Sequence, residues 1–457
     1  MTSVTSLWFG SALLGDRWAE GVRLRIEDGR IRGIEPGTQP AAADERHAVA
    51  LPGMPNVHSH AFQRAMAGLT EIAGPGEDSF WTWRDLMYRF LERLGPQELE
   101  AVSAFAFMEM LESGYTRVGE FHYLHHDPRG THYADLAELT HCVVAASQTS
   151  DIALTLLPVL YAHSNFGGLA PNPGQRRFIN DSERFARLVE AGRKAVGKLD
   201  AAVVGVAPHS LRAVTPEELR AAMALVPRGP LHIHAAEQTR EVDDCIAWCG
   251  QRPVQWLLEN AQIDSRWSLI HATHLDAQET SRLAASGAVA GLCPVTESNL
   301  GDGIFPAVDY LREGGTFGVG TDSNVLIDVP AELRTLEYSQ RLAHRRRNVL
   351  AGGDRRSTGR RLFDAAVSGG ARSLGVEEAV AGLKVGAPAD IVSLDVENPS
   401  LVAREGDALL DAWIFATRDR AVDCVWRHGR KVVAGGQHVR REGIVTRYRE
   451  ALRKLMG

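Results

Sequence analysis

Cysteine is scarce in this chain: five of its 457 residues, Cys142, Cys245, Cys249, Cys293 and Cys424, carry thiols. Five scattered thiols in a chain of this length do not make a disulfide framework, so we expect reduced thiols and a cytoplasmic protein. Cys245 and Cys249 are four residues apart, which could supply half of a metal site. Because no second pair of cysteines accompanies them, we interpret them as ordinary thiols.

Long hydrophobic runs and an excess of positive charge are also missing. No uninterrupted apolar run comes close to the length of about 18 residues that a membrane-spanning helix needs. No basic segment, as in a secretory signal peptide, precedes the first apolar residues. Lys and Arg number 50 against 57 Asp and Glu, a formal net charge of -7. Such a balance gives no general attraction to nucleic acid or to an anionic membrane. We therefore expect a small-molecule substrate, with neither export nor membrane insertion.

The order of hydrophobic patterns predicts the fold class. From residue 51 onward, apolar β-rich runs alternate eight times with amphipathic helical stretches, which favours a parallel eightfold barrel. These helical stretches are predicted at 97–113, 134–149, 182–197, 216–225, 239–261, 276–286, 306–312 and 330–347. The pattern is β-like at both chain ends. The sequence thus predicts an α/β protein: a (β/α)8 TIM-like barrel over 51–375, a small β-sandwich domain from 1–50 plus 376–440, and a C-terminal helix over 441–457.

Several histidines fall where the predicted barrel strands end. His58 and His60 are two apart at the end of the first strand, so both rings point to one face. His234 closes the fifth strand, His271 the sixth, and Asp322 the eighth. Imidazole and carboxylate groups suit Zn²⁺, and the carboxyl rim is where barrel enzymes keep their active sites. The sequence therefore predicts a catalytic metal site of three histidines and one aspartate.

Two further histidines compete for a place in this site. His232 forms a second HxH pair with His234, but His234 is nearer the carboxyl end of its strand and is followed three residues later by Glu237. We therefore expect His232 to be a hydrogen-bonded core residue. His274 is expected at the start of a helix.

The segments HSH at 58–60, HAAE at 234–237, His271 and Thr-Asp-Ser at 321–323 resemble the amidohydrolase superfamily. The later GLKVGAPADIVSLD resembles the return of its chain to the sandwich domain. Binuclear members of the superfamily end strand four with a carboxylated lysine, whereas the corresponding VVGVAPHSL has no lysine. The resemblance implies one divalent metal ion, for which we expect Zn²⁺.

Longer segments resemble one family within it, the amidohydrolases that deiminate N-formimino-L-glutamate in histidine degradation. They are PNVHSHAFQRAMAGLTE, DSFWTWRDLMYR, GEFHYLHHD, HSLRAVTP, HIHAAEQTREVDDC and TESNLGDGIFP. The resemblance spans essentially the whole chain, and it implies hydrolysis of that dicarboxylate to N-formyl-L-glutamate and ammonia. The expected assembly is a homodimer.

This function suggests a role for each site residue. The metal ligands would be His58, His60, His234 and Asp322. Asp322 and His271 would take and orient the proton of the attacking water, and Glu237 would act as general acid and base. Glu237 could also stabilise the N-terminus of a helix, and the two roles are compatible.

The substrate's two carboxylates call for fixed donors, and the planar guanidinium of arginine binds a carboxylate with two hydrogen bonds. Arg212 and His209, just past strand four, and Arg84 offer such donors. Arg84 lies in the aromatic segment WTWRDLMYR, predicted to be a lid-forming loop, where it could instead rest on a tryptophan as a surface cation. The resemblance places Gln63 and Tyr123 in the substrate pocket, although each could instead support a neighbouring group.

Weaker expectations concern residues near the same rim. Glu297 and Asn299 are candidates for contact with the leaving nitrogen. No role is assigned to His122, His125, His126 and His163, since histidines at such rims often cap loops.

Two alternative functions stay open at this point. A deaminase or chlorohydrolase of an aromatic heterocycle shares HSH, HxxE and Asp322, but needs a less cationic pocket. A barrel that binds metal without catalysis is the other alternative, although such scaffolds lack one or more of the ligands.

Overall fold

Strands from both ends of the chain meet in one mixed sheet. The computed structural model describes residues 5–74, 76, 78–353, 356–376, 382–418 and 421–457. In this sheet the strand Thr5–Leu14 pairs parallel with Glu45–Pro52, and Glu45–Pro52 pairs antiparallel with Ile391–Leu394. Its strands lie in the order Gln437–His438, Arg430–Ala434, Val422–Arg427, Ile391–Leu394, Glu45–Pro52, Thr5–Leu14, Arg17–Glu27 and Arg30–Glu35. Its N-terminal strands are β1 (Thr5–Leu14), β2 (Arg17–Glu27), β3 (Arg30–Glu35) and β4 (Glu45–Pro52). The predicted union of the two chain ends is confirmed.

Parallel strands between these ends form the barrel. They are β5 (Met54–Ser59), β6 (Tyr115–His122), β7 (Ala153–Leu160), β8 (Val203–Val204), β9 (Ala207–Pro208), β10 (Leu231–Ala235), β11 (Trp267–His271), β12 (Val289–Leu292) and β13 (Thr316–Val319). The fourth barrel position is split into β8 and β9, both paired with β7. Parallel bridges from Val206 to Leu231 and from Ser59 to Asp322 join the two halves. The predicted barrel is confirmed.

The remaining strands belong to the C-terminal part of the mixed sheet. They are β14 (Ile391–Leu394), β15 (Val422–Arg427), β16 (Arg430–Ala434) and β17 (Gln437–His438). The predicted domain boundaries stay a prediction, and residues 1–4, 377–381 and 419–420 of the predicted small domain lie outside the described residues.

The helices surround the barrel strands, and six of those in the described residues follow a residue whose side chain accepts a hydrogen bond from the first helical turn. The α-helices are α1 (Phe80–Leu91), α2 (Pro96–Ser113), α3 (Glu138–Ser150), α4 (Ser182–Val196), α5 (Pro216–Ala224), α6 (Thr239–Cys249), α7 (Pro253–Asn260), α8 (Ala277–Ser286), α9 (Pro294–Leu300), α10 (Ala307–Arg312), α11 (Val329–His344), α12 (Thr358–Ser373), α13 (Asp407–Ala416) and α14 (Arg441–Met456). Short 3-10 turns cover Ala61–Met66 and Pro173–Gln175. At α5, Thr215 accepts a hydrogen bond from the Glu218 amide while the Glu218 carboxylate accepts one from the Thr215 amide. This reciprocal cap satisfies donors that the first helical turn leaves free.

Two predictions of local structure are wrong. The single helix expected over 239–261 is two helices, because Gly250 ends α6 with φ at 78° and Pro253 begins α7. The segment WTWRDLMYR, expected as a loop, is helix α1, whose N-cap Ser79 accepts a hydrogen bond from the Trp81 amide. Aromatic residues obscure the helical period here, although the capping signal was present in the sequence.

The predicted C-terminal helix is confirmed as α14, which packs on α2 through parallel stacking of Phe105 and Tyr448, whose ring centroids are 3.9 Å apart. Among the described helices, none has both the length and the apolar character needed to cross a membrane.

Candidate active site

The four predicted metal ligands and the predicted catalytic residue His271 meet at the carboxyl ends of the barrel strands. His58 lies in β5, His234 in β10 and His271 at the end of β11, while Asp322 follows β13. Close packing of β5 against the chain before Asp322 requires a glycine at 320, because a Cβ there would lie 2.8 Å from backbone atoms of His58. The fold thus sets the spacing of residues far apart in sequence.

Three imidazole nitrogens converge at the centre of this rim. The Nε2 atom of His58 lies 3.2 Å from Nε2 of His60 and 3.1 Å from Nε2 of His234. The Asp322 Oδ1 atom lies 3.4 Å from the first of these nitrogens and 3.3 Å from that of His60. Ligands at about 2.05 Å from a tetrahedral ion are about 3.3 Å apart, so these four donors match one metal ion of that geometry.

Backbone carbonyls orient two of the rings for this purpose. His60 donates from Nδ1 to the carbonyl of Phe121 at 3.0 Å, and His234 donates from Nδ1 to the carbonyl of His209 at 3.0 Å. Each ring therefore carries its proton on Nδ1 and presents the lone pair of Nε2 to the centre.

A buried polar network holds Asp322 in place. Asn56 accepts the amide of Thr321 at 3.2 Å and donates to the Thr321 hydroxyl at 2.7 Å. Asn324 donates to the carbonyls of His60 and Asp322, at 3.1 and 3.0 Å. These bonds tie the segment that carries the aspartate to the strand that carries the first two histidines.

Strain in the backbone is concentrated at the same rim. Ala236, His271, Ala272 and Asp322 have φ values of 50°, 66°, 48° and 42°. Residues other than glycine rarely adopt this left-handed region, and such strain is typical of functional sites. It turns the side chains at the strand ends toward the centre.

Next to the ligand nitrogens, His271 lies between carboxylates. Its Nε2 atom lies 3.8 Å from Glu237 Oε1 and 3.8 Å from Asp322 Oδ2. Its Nδ1 donates to Glu297 Oε1 at 3.2 Å, and the same oxygen accepts the Cys293 amide at 2.8 Å. Glu297 therefore lies behind His271, and its expected contact with the leaving nitrogen stays a prediction.

Burial gives these groups unusual proton affinities. Burial raises the pKa of Glu237 to about 7, because the charged form is costly where water is excluded. Burial by itself lowers the pKa of His271. The negative charges of the neighbouring carboxylates, above all that of Glu237, have the larger opposite effect and hold this pKa well above its ordinary value. A carboxyl that gains and loses a proton near neutral pH suits acid and base catalysis.

All five predicted substrate residues line one pocket that opens onto the rim: Gln63, Arg84, Tyr123, His209 and Arg212. The same pocket is lined by the candidate catalytic residues Glu237, His271 and Asp322. The structure thus brings these five side chains together with the candidate acid–base groups.

Several buried polar atoms in this pocket lack partners among the described residues. The Nε atoms of Arg84 and Arg212 and the Oε1 atom of Gln63 have no hydrogen bond. The other end of the Gln63 amide donates to the Tyr123 hydroxyl at 2.8 Å. Because buried polar groups are nearly always satisfied in the folded state, unpaired guanidinium donors in a pocket point to an anionic ligand.

The alternative for Arg84, a cation resting on a tryptophan, is also present in the structure. Its guanidinium carbon lies 4.6 Å from the centroid of the Trp81 ring while the side chain lines the pocket. The two interpretations are therefore compatible.

The aromatic and apolar residues of the pocket were not predicted from the sequence. Trp83, Met87 and Tyr88 on α1 line it, together with Tyr161 and Phe178. Positions 80, 83, 84, 87 and 88 repeat at helical spacing, so a helix at WTWRDLMYR would have shown them on one face. Tyr161 follows directly on β7, the kind of strand-end position that identified Tyr123.

Other histidines have structural partners. His232 hydrogen-bonds the Ser373 carbonyl at 2.8 Å through Nε2, as predicted for a core residue. His274 does not start a helix, since α8 begins at Ala277, and its Nε2 hydrogen-bonds the Asp302 carbonyl at 2.8 Å. His125 and His126 bond the carbonyls of Val159 and Ile179, at 3.0 and 2.8 Å.

The other candidate residues do not line this pocket. Asn299 donates to exposed Glu71 at 2.9 Å, and its expected contact with the leaving nitrogen stays a prediction. His163 bonds Glu218 at 3.0 Å. The Cys249 thiol contacts the Cys245 carbonyl, and both cysteines are free. His122 is buried, and its Nε2 has no partner among the described residues.

Two family models match the chain. The model described as "Amidohydrolase family" covers residues 49–432. A second, described as "Formimidoylglutamate deiminase HutF, N-terminal domain", covers residues 5–48. Together they span the barrel and both parts of the mixed sheet.

Relatives of known name agree with these models. A formimidoylglutamate deiminase of Pseudomonas aeruginosa is 50% identical, covering 99% of this chain and 100% of its own. An 8-oxoguanine deaminase of the same organism is 29% identical over 88% of this chain and 89% of its own. A solved amidohydrolase of Brucella melitensis superposes with a TM-score of 0.96 at 55% identity, covering 99% of this chain and 100% of its own. A solved adenosine deaminase of Xanthomonas campestris with bound zinc shares the fold, at a TM-score of 0.82 and 21% identity; the match covers 99% of this chain and 98% of that one.

Proposed function

The chain belongs to the amidohydrolase family, and from this premise we propose that it hydrolyses N-formimino-L-glutamate to N-formyl-L-glutamate and ammonia. The observation that carries the proposal is a pocket in which two arginines, each with a buried Nε atom that has no hydrogen-bond partner among the described residues, face the same space as the acid–base residues. A 50% identical relative named for this activity and the N-terminal family model support the same substrate. A neutral aromatic heterocycle would leave the Nε donors of both arginines without a hydrogen bond, which disfavours the alternative deaminases.

The donor set fits one divalent metal ion. His58, His60, His234 and Asp322 would hold it, since their donor atoms have the mutual separations of tetrahedral ligands. An ion held there lowers the pKa of a bound water toward about 7 and so supplies a nucleophile at neutral pH.

The chain's own residues would move the protons of the reaction. As water attacks the amidine carbon and the new C–O bond forms, Asp322 accepts the first proton that water loses while His271 orients the water. Glu237, with a pKa of about 7, delivers a proton to the terminal nitrogen. Glu237 then takes the remaining hydroxyl proton of the adduct and passes it to the same nitrogen as the C=O double bond forms. The bond from carbon to that nitrogen breaks and ammonia leaves, the nitrogen attached to glutamate stays in the formyl product, and the proton held by Asp322 restores Glu237. Glu297 holds His271 through Nδ1 and so directs its Nε2 toward the reacting atoms.

Binding of the substrate would rest on its two carboxylates. Arg84 and Arg212 are the donors for them, with His209 beside Arg212. Gln63 keeps its Oε1 atom free to accept a hydrogen bond from an N–H of the formimino group, because its amide nitrogen already donates to Tyr123. The aromatic side chains of α1 close the pocket over the apolar middle of the substrate.

The test is to incubate metal-assayed protein with N-formimino-L-glutamate and to identify the products by proton NMR beside an ammonia assay. Formylglutamate and ammonia are expected. Formamide and glutamate would show that the other C–N bond is cut, which contradicts the role given to Glu237. No product from metal-loaded protein would contradict the proposed function.

Three finer points stay predictions. We expect the ion to be Zn²⁺, the assembly to be a homodimer and the location to be the cytoplasm, where reduced thiols persist. Elemental analysis of the purified protein measures the first, light scattering the second, and cell fractionation the third.

A further inference from the structure

One indole ring at the mouth of the pocket is surrounded by three guanidinium groups from three parts of the chain. The centroid of the Trp81 ring lies 4.6 Å from the guanidinium carbon of Arg84, on the same helix α1. It lies 5.7 Å from that of Arg212, which follows β9, and 4.8 Å from that of Arg240, in the first turn of α6. Trp81 therefore connects α1 with two other elements at the pocket mouth.

The charges of this cluster do not cancel. Arg212 lies 3.9 Å from Glu241, and Arg240 lies 3.8 Å from Asp244. Within the described parts of the chain, Arg84 forms no ion pair with a carboxylate. Three guanidinium groups thus share two carboxylates, and the surplus positive charge attracts anions to the mouth.

Arg240 differs from the other two arginines in its exposure. Arg84 and Arg212 line the pocket, whereas the Arg240 side chain is 64% exposed to solvent. Its place in the first turn of α6 is unfavourable for the helix, because the macrodipole is positive at that end. Its i,i+4 pair with Asp244 also has the less favourable order, with the cation nearer the N-terminus. Helix stability therefore does not account for an arginine at this position.

We propose that Arg240 and Trp81 are specificity residues that attract the dicarboxylate substrate to the pocket mouth and direct it to the two inner arginines. The proposal rests on the proposed function, because it takes its substrate class from there. Trp81 acts by position: its ring holds the guanidinium groups at fixed separations through cation–π contacts. Arg240 acts by charge, since it meets the substrate in solvent before Arg84 and Arg212 bind its carboxylates.

The test compares Arg240→Gln with the wild type and with a matched control, Arg25→Gln. Arg25 is an exposed arginine of β2 in the mixed sheet, 56% exposed and paired with Glu35, so its removal changes the net charge equally away from the pocket. At low ionic strength we expect Arg240→Gln to lower kcat/KM about three- to tenfold with kcat unchanged. In about 0.5 M salt the difference from wild type should nearly vanish, because exposed charges are screened. Arg25→Gln should behave as wild type throughout.

A binding measurement separates this inference from the proposed function. Glutarate carries two carboxylates and needs no catalysis, so its dissociation constant for the metal-loaded protein can be measured by titration calorimetry. We expect Arg240→Gln and Trp81→Leu each to weaken glutarate binding about three- to tenfold at low salt, with Trp81→Phe partly restoring it. An inactive wild type contradicts only the proposed function. If Arg240→Gln equals Arg25→Gln in glutarate affinity and in its salt dependence, this inference is wrong.

Discussion

Replacing Arg212 by Met is expected to remove most of the activity toward the dicarboxylate while leaving the fold intact. Methionine keeps much of the length and apolar stem of arginine but has no guanidinium. Arg212 is 3% exposed, and its Nε atom has no hydrogen-bond partner among the described residues. A substrate carboxylate bound there would be fully desolvated and would receive two charge-assisted hydrogen bonds.

The magnitude follows from that burial. Truncating one partner of a buried, hydrogen-bonded charge pair costs about 2–5 kcal/mol. Because about 1.4 kcal/mol corresponds to a factor of ten, kcat/KM should fall roughly 30-fold to 4,000-fold. Arg212→Lys should fall between wild type and Arg212→Met, since lysine keeps the charge and loses the planar fork.

The same change alters stability through Glu241, which is 1% exposed and lies 3.9 Å from Arg212. Breaking a tight buried ion pair costs about 3–5 kcal/mol, and this looser pair should cost less than that range. The Glu241 carboxylate also accepts hydrogen bonds from the backbone amides of Ala236 and Glu237, at 3.3 and 3.2 Å. The double variant Arg212→Met with Glu241→Gln removes the uncompensated charge and serves as the stability control.

The assay is ammonia release from N-formimino-L-glutamate and from N-butylformamidine, which has no carboxylate, with thermal unfolding of each variant. We expect Arg212→Met to lose most of its kcat/KM for N-formimino-L-glutamate and to change little toward N-butylformamidine. Equal losses for both substrates, or a loss below about threefold for the dicarboxylate in a folded variant, would refute a carboxylate-binding role for Arg212.

Three other outcomes are expected. Glu237→Gln should lower kcat about 100- to 10,000-fold in steady-state assays while elemental analysis finds the same metal content, because the amide cannot transfer a proton; near-normal turnover would contradict its role. Chelation should abolish ammonia release and one equivalent of Zn²⁺ should restore it, and activity that survives complete metal removal would exclude the metal site as the source of the nucleophile. Burial lowers the pKa of His232 to about 4. As the pH falls from about 6.5 to 4, the unfolded chain therefore binds a proton at this histidine and the folded protein does not. The free energy of unfolding should fall by about 3 kcal/mol over this range. Urea unfolding at several pH values measures this change: the free energy of unfolding should fall less steeply with decreasing pH in His232→Gln than in wild type. Equal dependence on pH in the two proteins would count against this explanation.

Much of the candidate site is readable in the sequence because barrel geometry is regular. Each parallel strand ends at the same rim, so His58, His60, His234, His271 and Asp322 could be predicted to meet from strand ends alone. His232 and His234 share one face of β10, and the position of His234 nearer the carboxyl end of the strand separated the two. Helix α1 was not predicted, although its pocket-facing positions repeat at helical spacing, because its density of aromatic residues favoured a loop in the interpretation of the sequence.

Contacts between distant segments lie beyond such patterns. Glu297 was expected at the substrate, but the turn of chain after β12 directs it to Nδ1 of His271. The three guanidinium groups around Trp81 come from α1, the chain after β9 and α6, and no spacing in the sequence relates them.

The order and period of the residues therefore specify the barrel, the joining of the chain ends and the chemistry available at the rim. These properties depend on local periodicity and on residue type, which the sequence carries directly. Packing in three dimensions alone sets the 3.1 to 3.4 Å separations of the donor atoms, the raised pKa of Glu237 and the surplus charge at Trp81. Each of these depends on burial and on distances between segments that are far apart in the chain, and such distances exist only once the protein has folded.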